Sequence, residues 1–109
     1  MQRIDEHNEC SFKDFSLRVV QAEFGMGRDE LRERLLHNGI ETRTYFDPPV
    51  HRQSAYVAFD AHGSPPLPTT DQVAREVLNL PLYVGLQEGE VDRIVRVIEG
   101  ASKRSAVEV

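Results

Sequence analysis

The chain has 109 residues and a mass of 12.4 kDa, room for one compact domain with a modest core. Its 13 Lys+Arg against 18 Asp+Glu leave a formal net charge of −5, which argues against a basic stripe for nucleic acid and a polybasic patch for a membrane surface. The single cysteine, Cys10, makes neither an internal disulfide nor a Cys-rich zinc site, and points to a reducing, cytoplasmic compartment.

Residues 1–11 are polar and acidic, lack a signal-peptide apolar core, and read as a lead-in. No apolar run approaches the ~20 residues of a membrane span. From Phe15 the pattern alternates, with Phe15, Leu17 and Val19 on one face and Ser16 and Arg18 on the other, which predicts a half-buried strand. Gly25 and Gly27 mark a turn. A helix is expected over Arg28–Asn38: Asp29 and Glu30 complement the dipole at its start, Glu30 and Arg34 pair at i,i+4, and Leu31, Leu35 and Leu36 form an apolar stripe. Gly39 stops it as a left-handed residue.

Ile40–Tyr45 is expected as a second strand, with Ile40, Thr42 and Thr44 on one face and Glu41, Arg43 and Tyr45 on the other. Phe46–Pro68 is irregular and carries five of the six prolines, with a short helix over about residues 52–59. Pro48-Pro49 holds the chain extended. A further helix opens at Thr69, whose hydroxyl and Gln72 have capping-box spacing, and buries Val73, Ala74 and Val77. Leu78–Tyr83, interrupted by Pro81, reads as an edge strand or an extended link. The last helix carries Val91, Ile94, Val95 and Ile98 at i, i+3, i+4 and i+7 and stops at Gly100; residues 101–109 form a loose tail. The order β-α-β, loop, α-(β)-α predicts an α/β (α+β) domain over residues 12–100, a small, mostly antiparallel sheet with helices on one face.

The densest set of recognising side chains lies between Arg43 and Tyr56: two arginines, a histidine, a glutamine and two tyrosines on a proline-stiffened loop. Guanidinium groups suit carboxylate or phosphate, and amide and phenol groups suit sugar hydroxyls, so the set fits an anionic, hydroxyl-rich ligand. The competing reading is a loop that only packs on a neighbour, with Tyr45, Phe46 and Tyr56 as anchors. His7, His37 and His62 are too scattered for a metal site, and Cys10 reads as inert. Lys13 and Lys103 are the only lysines, and neither has the setting of a Schiff-base lysine. No catalytic residue is assigned.

R-D-E-L-x-x-x-L-x-x-x-G-I-E-T-R-x-Y-F-x-P-P-V-H-R-Q-x-A-Y, from Arg28 to Tyr56, resembles the C-terminal small domain of DegT/DnrJ/StrS-type nucleotide-sugar aminotransferases. L-P-T-T-D-x-V-A-x-x-V-L-N-L-P-L-Y, from Leu67 to Tyr83, resembles the next block of that family, and G-E-V-D-R-I-V-x-V-I, from Gly89 to Ile98, its final helix. The resemblance implies the small domain of a type I pyridoxal-phosphate fold and amino transfer from glutamate to a keto-sugar. It carries substrate-binding roles onto Arg43, Tyr45, His51, Gln53 and Tyr56.

The family's cofactor lysine and its pyridine-facing aspartate belong to a large domain with no counterpart here, so no covalently held pyridoxal phosphate and no activity of the chain alone are expected. The implied partners are that large domain or a full-length aminotransferase subunit, together with a nucleotide-sugar substrate; a homo-oligomer stays open. The alternative is a stand-alone module derived from the domain, which binds nucleotide sugar or pairs with a full-length aminotransferase. Exposed apolar surface distinguishes the two, because a domain awaiting its neighbour shows it.

Overall fold

In the computed structural model, residues 3–9, 11, 13–60 and 65–102 are described. Strand β1 (Phe15–Arg18) leads through a one-turn helix α1 (Gln21–Phe24) into helix α2 (Arg28–His37). A 3-10 turn (Val50–Arg52) and the short helix α3 (Val57–Asp60) follow. Helix α4 (Pro68–Glu76) then runs without a connecting loop into strand β2 (Val77–Leu80), and helix α5 (Glu88–Ala101) comes last. Strands β1 and β2 are antiparallel, with Phe15 opposite Leu80, Ser16 opposite Asn79 and Leu17 opposite Leu78.

Alternation then sorts the side chains. Leu17 and Leu78 share one face, and Leu78 is fully buried in a core with Val19, Met26, Leu31, Leu35, Ile40, Ile94 and Ala101. Burying an aliphatic side chain of this size stabilises by about 1.5–3 kcal/mol, so the α2–α5–sheet contact is the main source of order. On the opposite face Asn79 Nδ2 donates to Ser16 Oγ at 3.0 Å, and Arg18 pairs with Glu76.

Several expectations change. Leu36 does not join Leu31 and Leu35 but is 60% exposed, because a step of one along α2 rotates the side chain away from the core. Val91 and Val95 are exposed while Ile94 is buried and Val97 and Ile98 pack beside it: α5 meets α2 along one flank of its apolar stripe. It also passes through Gly100 to Ala101. Gly39 is left-handed as expected, with φ 76°.

Ile40–Tyr45 does not form a strand. Its inward faces are as expected, Ile40 and Thr42 being buried, yet only Arg43 pairs, with backbone bonds to Asn79 of 3.0 and 2.8 Å. The chain turns directly afterwards, where Asp47 N donates to Thr44 O. That pairing also gives β2 a neighbour on its second side at Asn79, so β2 is not simply an edge, and it ends before Pro81, which has no N–H to donate. Helix α4 begins at Pro68 rather than Thr69, with Leu67 as its N-cap and no side-chain cap; proline suits a first helical position whose N–H would be unpaired. Gln72 reaches Glu76 instead. Val77, expected on that helix, is the first residue of β2. In place of one helix over 52–59 the chain makes the 3-10 turn and α3. The capping box belongs to α5, between Gln87 and Glu90. Expectations for Cys10, His62, Lys103 and most of the tail fall outside the described residues.

Candidate functional site

The loop after Arg43 is held in place from beneath. Arg28, at the start of α2, is buried and donates from Nη1 to the carbonyls of Ala74 and Val77 at 2.8 and 3.1 Å. Its Nη2 donates to Asp47 Oδ2 at 2.5 Å. One guanidinium thus ties the α4–β2 junction to the loop, and its planar fork suits several acceptors at once. Peptide bonds Tyr45–Phe46 and Asp47–Pro48 are cis, and Arg52 N closes the 3-10 turn on Pro49 O at 2.8 Å.

The turn delivers His51 and Arg52 to α4. Arg52 donates from Nε and Nη2 to Oδ1 and Oδ2 of Asp71 at 2.6 and 2.7 Å, a bidentate pair. His51 Nε2 lies 2.9 Å from the same Oδ1. The side chains of Asp71 and His51 are only 13% and 16% exposed. The Arg52 guanidinium, followed by His51, holds the Asp71 carboxyl at about 2, so Asp71 is ionised at any ordinary pH.

Beside this clasp, between the Tyr45–Tyr56 loop and α4, lies a cleft of about 820 Å³, within the ~300–1,000 Å³ of small-molecule sites. Tyr45, His51 and Tyr56 line it together with Phe46, Val50 and Val73. Its walls are aromatic and aliphatic, and Tyr45 and Phe46 stand with ring centroids 5.4 Å apart. Both are exposed, Phe46 to 65%.

A second cleft, of about 630 Å³, opens beyond Tyr45. Arg43 lines this one, among Lys13, Asp14, Tyr83, Glu90 and Arg93. Burial and a hydrogen bond from its hydroxyl to Glu90 at 3.2 Å raise the Tyr83 phenol above its usual range. The structure therefore brings Tyr45, His51 and Tyr56 into one cleft and places Arg43 in the other, with Tyr45 between them. Gln53 lines neither; its Nε2 donates to Pro48 O at 3.2 Å and braces the loop.

Asp71, Arg28 and Asp47 were not expected at the site. Asp71 reads in sequence as one more acid in a helix's first turn, where carboxylates are common. Arg28 reads as a charged helix start, and no local pattern announces partners 46 residues away.

The chain matches the DegT/DnrJ/EryC1/StrS aminotransferase family over residues 1–99. It is 36% identical over 77 residues to the dTDP-3-amino-3,4,6-trideoxy-alpha-D-glucose transaminase of Streptomyces venezuelae, covering 71% of this chain and 20% of that protein. To the dTDP-4-amino-4,6-dideoxy-D-glucose transaminase of Escherichia coli it is 35% identical over 82 residues, 75% of this chain and 22% of that one. The structure superposes on a DegT DnrJ EryC1 StrS aminotransferase from Brucella abortus with a TM-score of 0.75 at 27% identity, over 93% of this chain and 25% of that one. On DesI, solved in the presence of its TDP-sugar product, the TM-score is 0.73 at 26% identity, over 87% and 24%. The chain belongs to this aminotransferase family and spans about a fifth to a quarter of the length of these relatives.

The family is one of pyridoxal-phosphate-dependent aminotransferases, and the described residues do not fit that cofactor. Among the described residues, no lysine lines the larger cleft. Lys13 lines the smaller one from an exposed stretch outside any helix or strand, beside Asp14. At the α5 N-terminus the capping box between Gln87 and Glu90 already uses the N-cap and N3 amides, so that end of the helix is no phosphate cradle.

Proposed function

We propose that residues 12–100 are the C-terminal domain of a nucleotide-sugar aminotransferase that moves an amino group from glutamate to a keto-sugar in the cytoplasm. The larger cleft forms one wall of the sugar-nucleotide site, and a pyridoxal-phosphate-binding large domain, on the same or another polypeptide, completes it. The cofactor, held there, supplies the electron sink for amino transfer. This chain's part is to bind and orient: Tyr45, His51 and Tyr56 meet the substrate in the larger cleft, while Arg43 offers its guanidinium to an anionic group from the smaller. Gln53 stiffens the loop that carries them.

The observation that carries this reading is the meeting of Tyr45, His51 and Tyr56 in one cleft whose rim exposes Phe46, Val50, Tyr56, Leu67 and Val73. So much exposed apolar surface in one place suits a domain covered by a neighbour, and it favours this reading over a module evolved to stand alone. The dTDP-sugar transaminases among the relatives and the TDP-sugar product named for DesI support the substrate class.

A chimera tests it, in which this chain replaces the matching segment of the Escherichia coli transaminase. The expected result is a folded, cofactor-loaded enzyme with measurable transamination, while the 109-residue chain alone turns over nothing. A chimera that folds and loads cofactor but shows no turnover overturns the reading, as does amino transfer by the isolated chain.

A further inference from the structure

The cleft contains one hydrogen-bonding side chain whose orientation another residue determines. His51 uses Nε2 toward Asp71 Oδ1 at 2.9 Å; its Nδ1 has no hydrogen-bond partner among the described residues. An ionised carboxylate accepts and does not donate, so the nitrogen facing it must carry the proton. In a neutral imidazole the other nitrogen is then an acceptor. Arg52 takes both oxygens of Asp71 in a planar, bidentate pair, which prevents the carboxylate from rotating away from the ring.

We propose that Asp71 is the positioning residue of the cleft: it holds His51 with Nε2 protonated and leaves Nδ1 as an acceptor for a ligand hydroxyl. With the ring neutral, the Nδ1 position takes a donor, such as a sugar O–H, and discriminates against a phosphate or carboxylate oxygen, which would meet a lone pair. This adds a proton arrangement to the expectation of a loop suited to an anionic, hydroxyl-rich ligand. The hydroxyl-reading position is His51, and the guanidinium of Arg43 lies in the other cleft. The assignment to a sugar hydroxyl rests on the function proposed above; the arrangement of protons on His51 does not.

The test is the nitrogen NMR spectrum of the His51 ring in the 109-residue chain, recorded as pH is raised until the ring is neutral. The expected result is a protonated Nε2 and an unprotonated Nδ1. Asp71→Ala is expected to relax the ring toward the tautomer ratio of a free histidine, because no acceptor then faces Nε2. If Asp71 only held the loop together, the wild-type ring would already show that free ratio. A wild-type ring with Nδ1 protonated, or as mixed as a free histidine's, overturns the proposal even if the variant does not fold. A folded Asp71→Ala chain with the wild-type pattern overturns it too. Neither measurement needs a ligand, cofactor or partner, so failure here is distinguishable from failure of the chimera.

Discussion

Nη2 of Arg28 donates to Oδ2 of Asp47 at 2.5 Å, nineteen residues further along the chain. The same guanidinium holds two carbonyls at the α4–β2 junction, so a single buried cation connects the core helix, the sheet and the loop that bears the candidate ligand-binding groups.

Replacing that cation should be costly. Arg28→Met leaves two carbonyls and a partly buried carboxylate without their donor, and about 3 kcal/mol of stability should be lost. The shift in urea midpoint at unchanged slope measures it. Arg28→Lys recovers only part, since a single ammonium does not reproduce the fork.

Acid should loosen the clasp on α4 in a defined window. The Asp71 carboxyl is lowered from an ordinary 3.8 to about 2 by Arg52 and then His51, and Glu76 is lowered chiefly by Arg18. A folded-state value below the unfolded one contributes stability that is complete above the unfolded value and is lost as pH falls toward the folded one. Stability should therefore decline from about pH 4 toward pH 2, and Asp71→Asn should flatten that limb. Urea midpoints at a series of acid pH values give the slope.

The two leucines of α2 should behave oppositely. Leu35→Ala empties a site with no exposure and should cost about 2–5 kcal/mol. Leu36→Ala, one position on and largely exposed, should cost about 0.5 kcal/mol or less. Equal losses in thermal melts would contradict the face assignment.

Gly39 ends α2 with φ 76°, a conformation that an L side chain adopts only with strain. A Cβ there would meet nothing nearer than Arg93 Nη2 at 3.9 Å, so space is not the obstacle. Gly39→Ala should cost about 1 kcal/mol through the backbone alone, read from the melting temperature.

Much of the fold is legible from periodicity. The α2 and β1 ranges, the left-handed stop at Gly39 and the inward faces of Ile40 and Thr42 all follow from side-chain alternation or helical spacing. What pattern does not reveal is which flank of a wide apolar stripe touches a neighbour, and so Leu36, Val91 and Val95 lie outside the core. Pairing is a two-body property as well: Ile40–Tyr45 has the composition of a strand, but the turn after Thr44 lets only Arg43 reach Asn79. At the site, the loop residues are conspicuous by density. Their supports are not, because Arg28 and Asp71 act across 46 and 20 residues of sequence, where no local spacing rule applies.

The direct passage from Glu76 to Val77 has a mechanical consequence. With no linker between α4 and β2, and with Arg28 clamping the carbonyls on both sides of that joint, the helix cannot swivel without dragging the sheet. One jaw of the cleft is therefore stationary. The other jaw, the Tyr45–Tyr56 arm, is pinned to it at two points, by Arg28 on Asp47 and by Arg52 on Asp71, so the two jaws move as one body unless both ion pairs break.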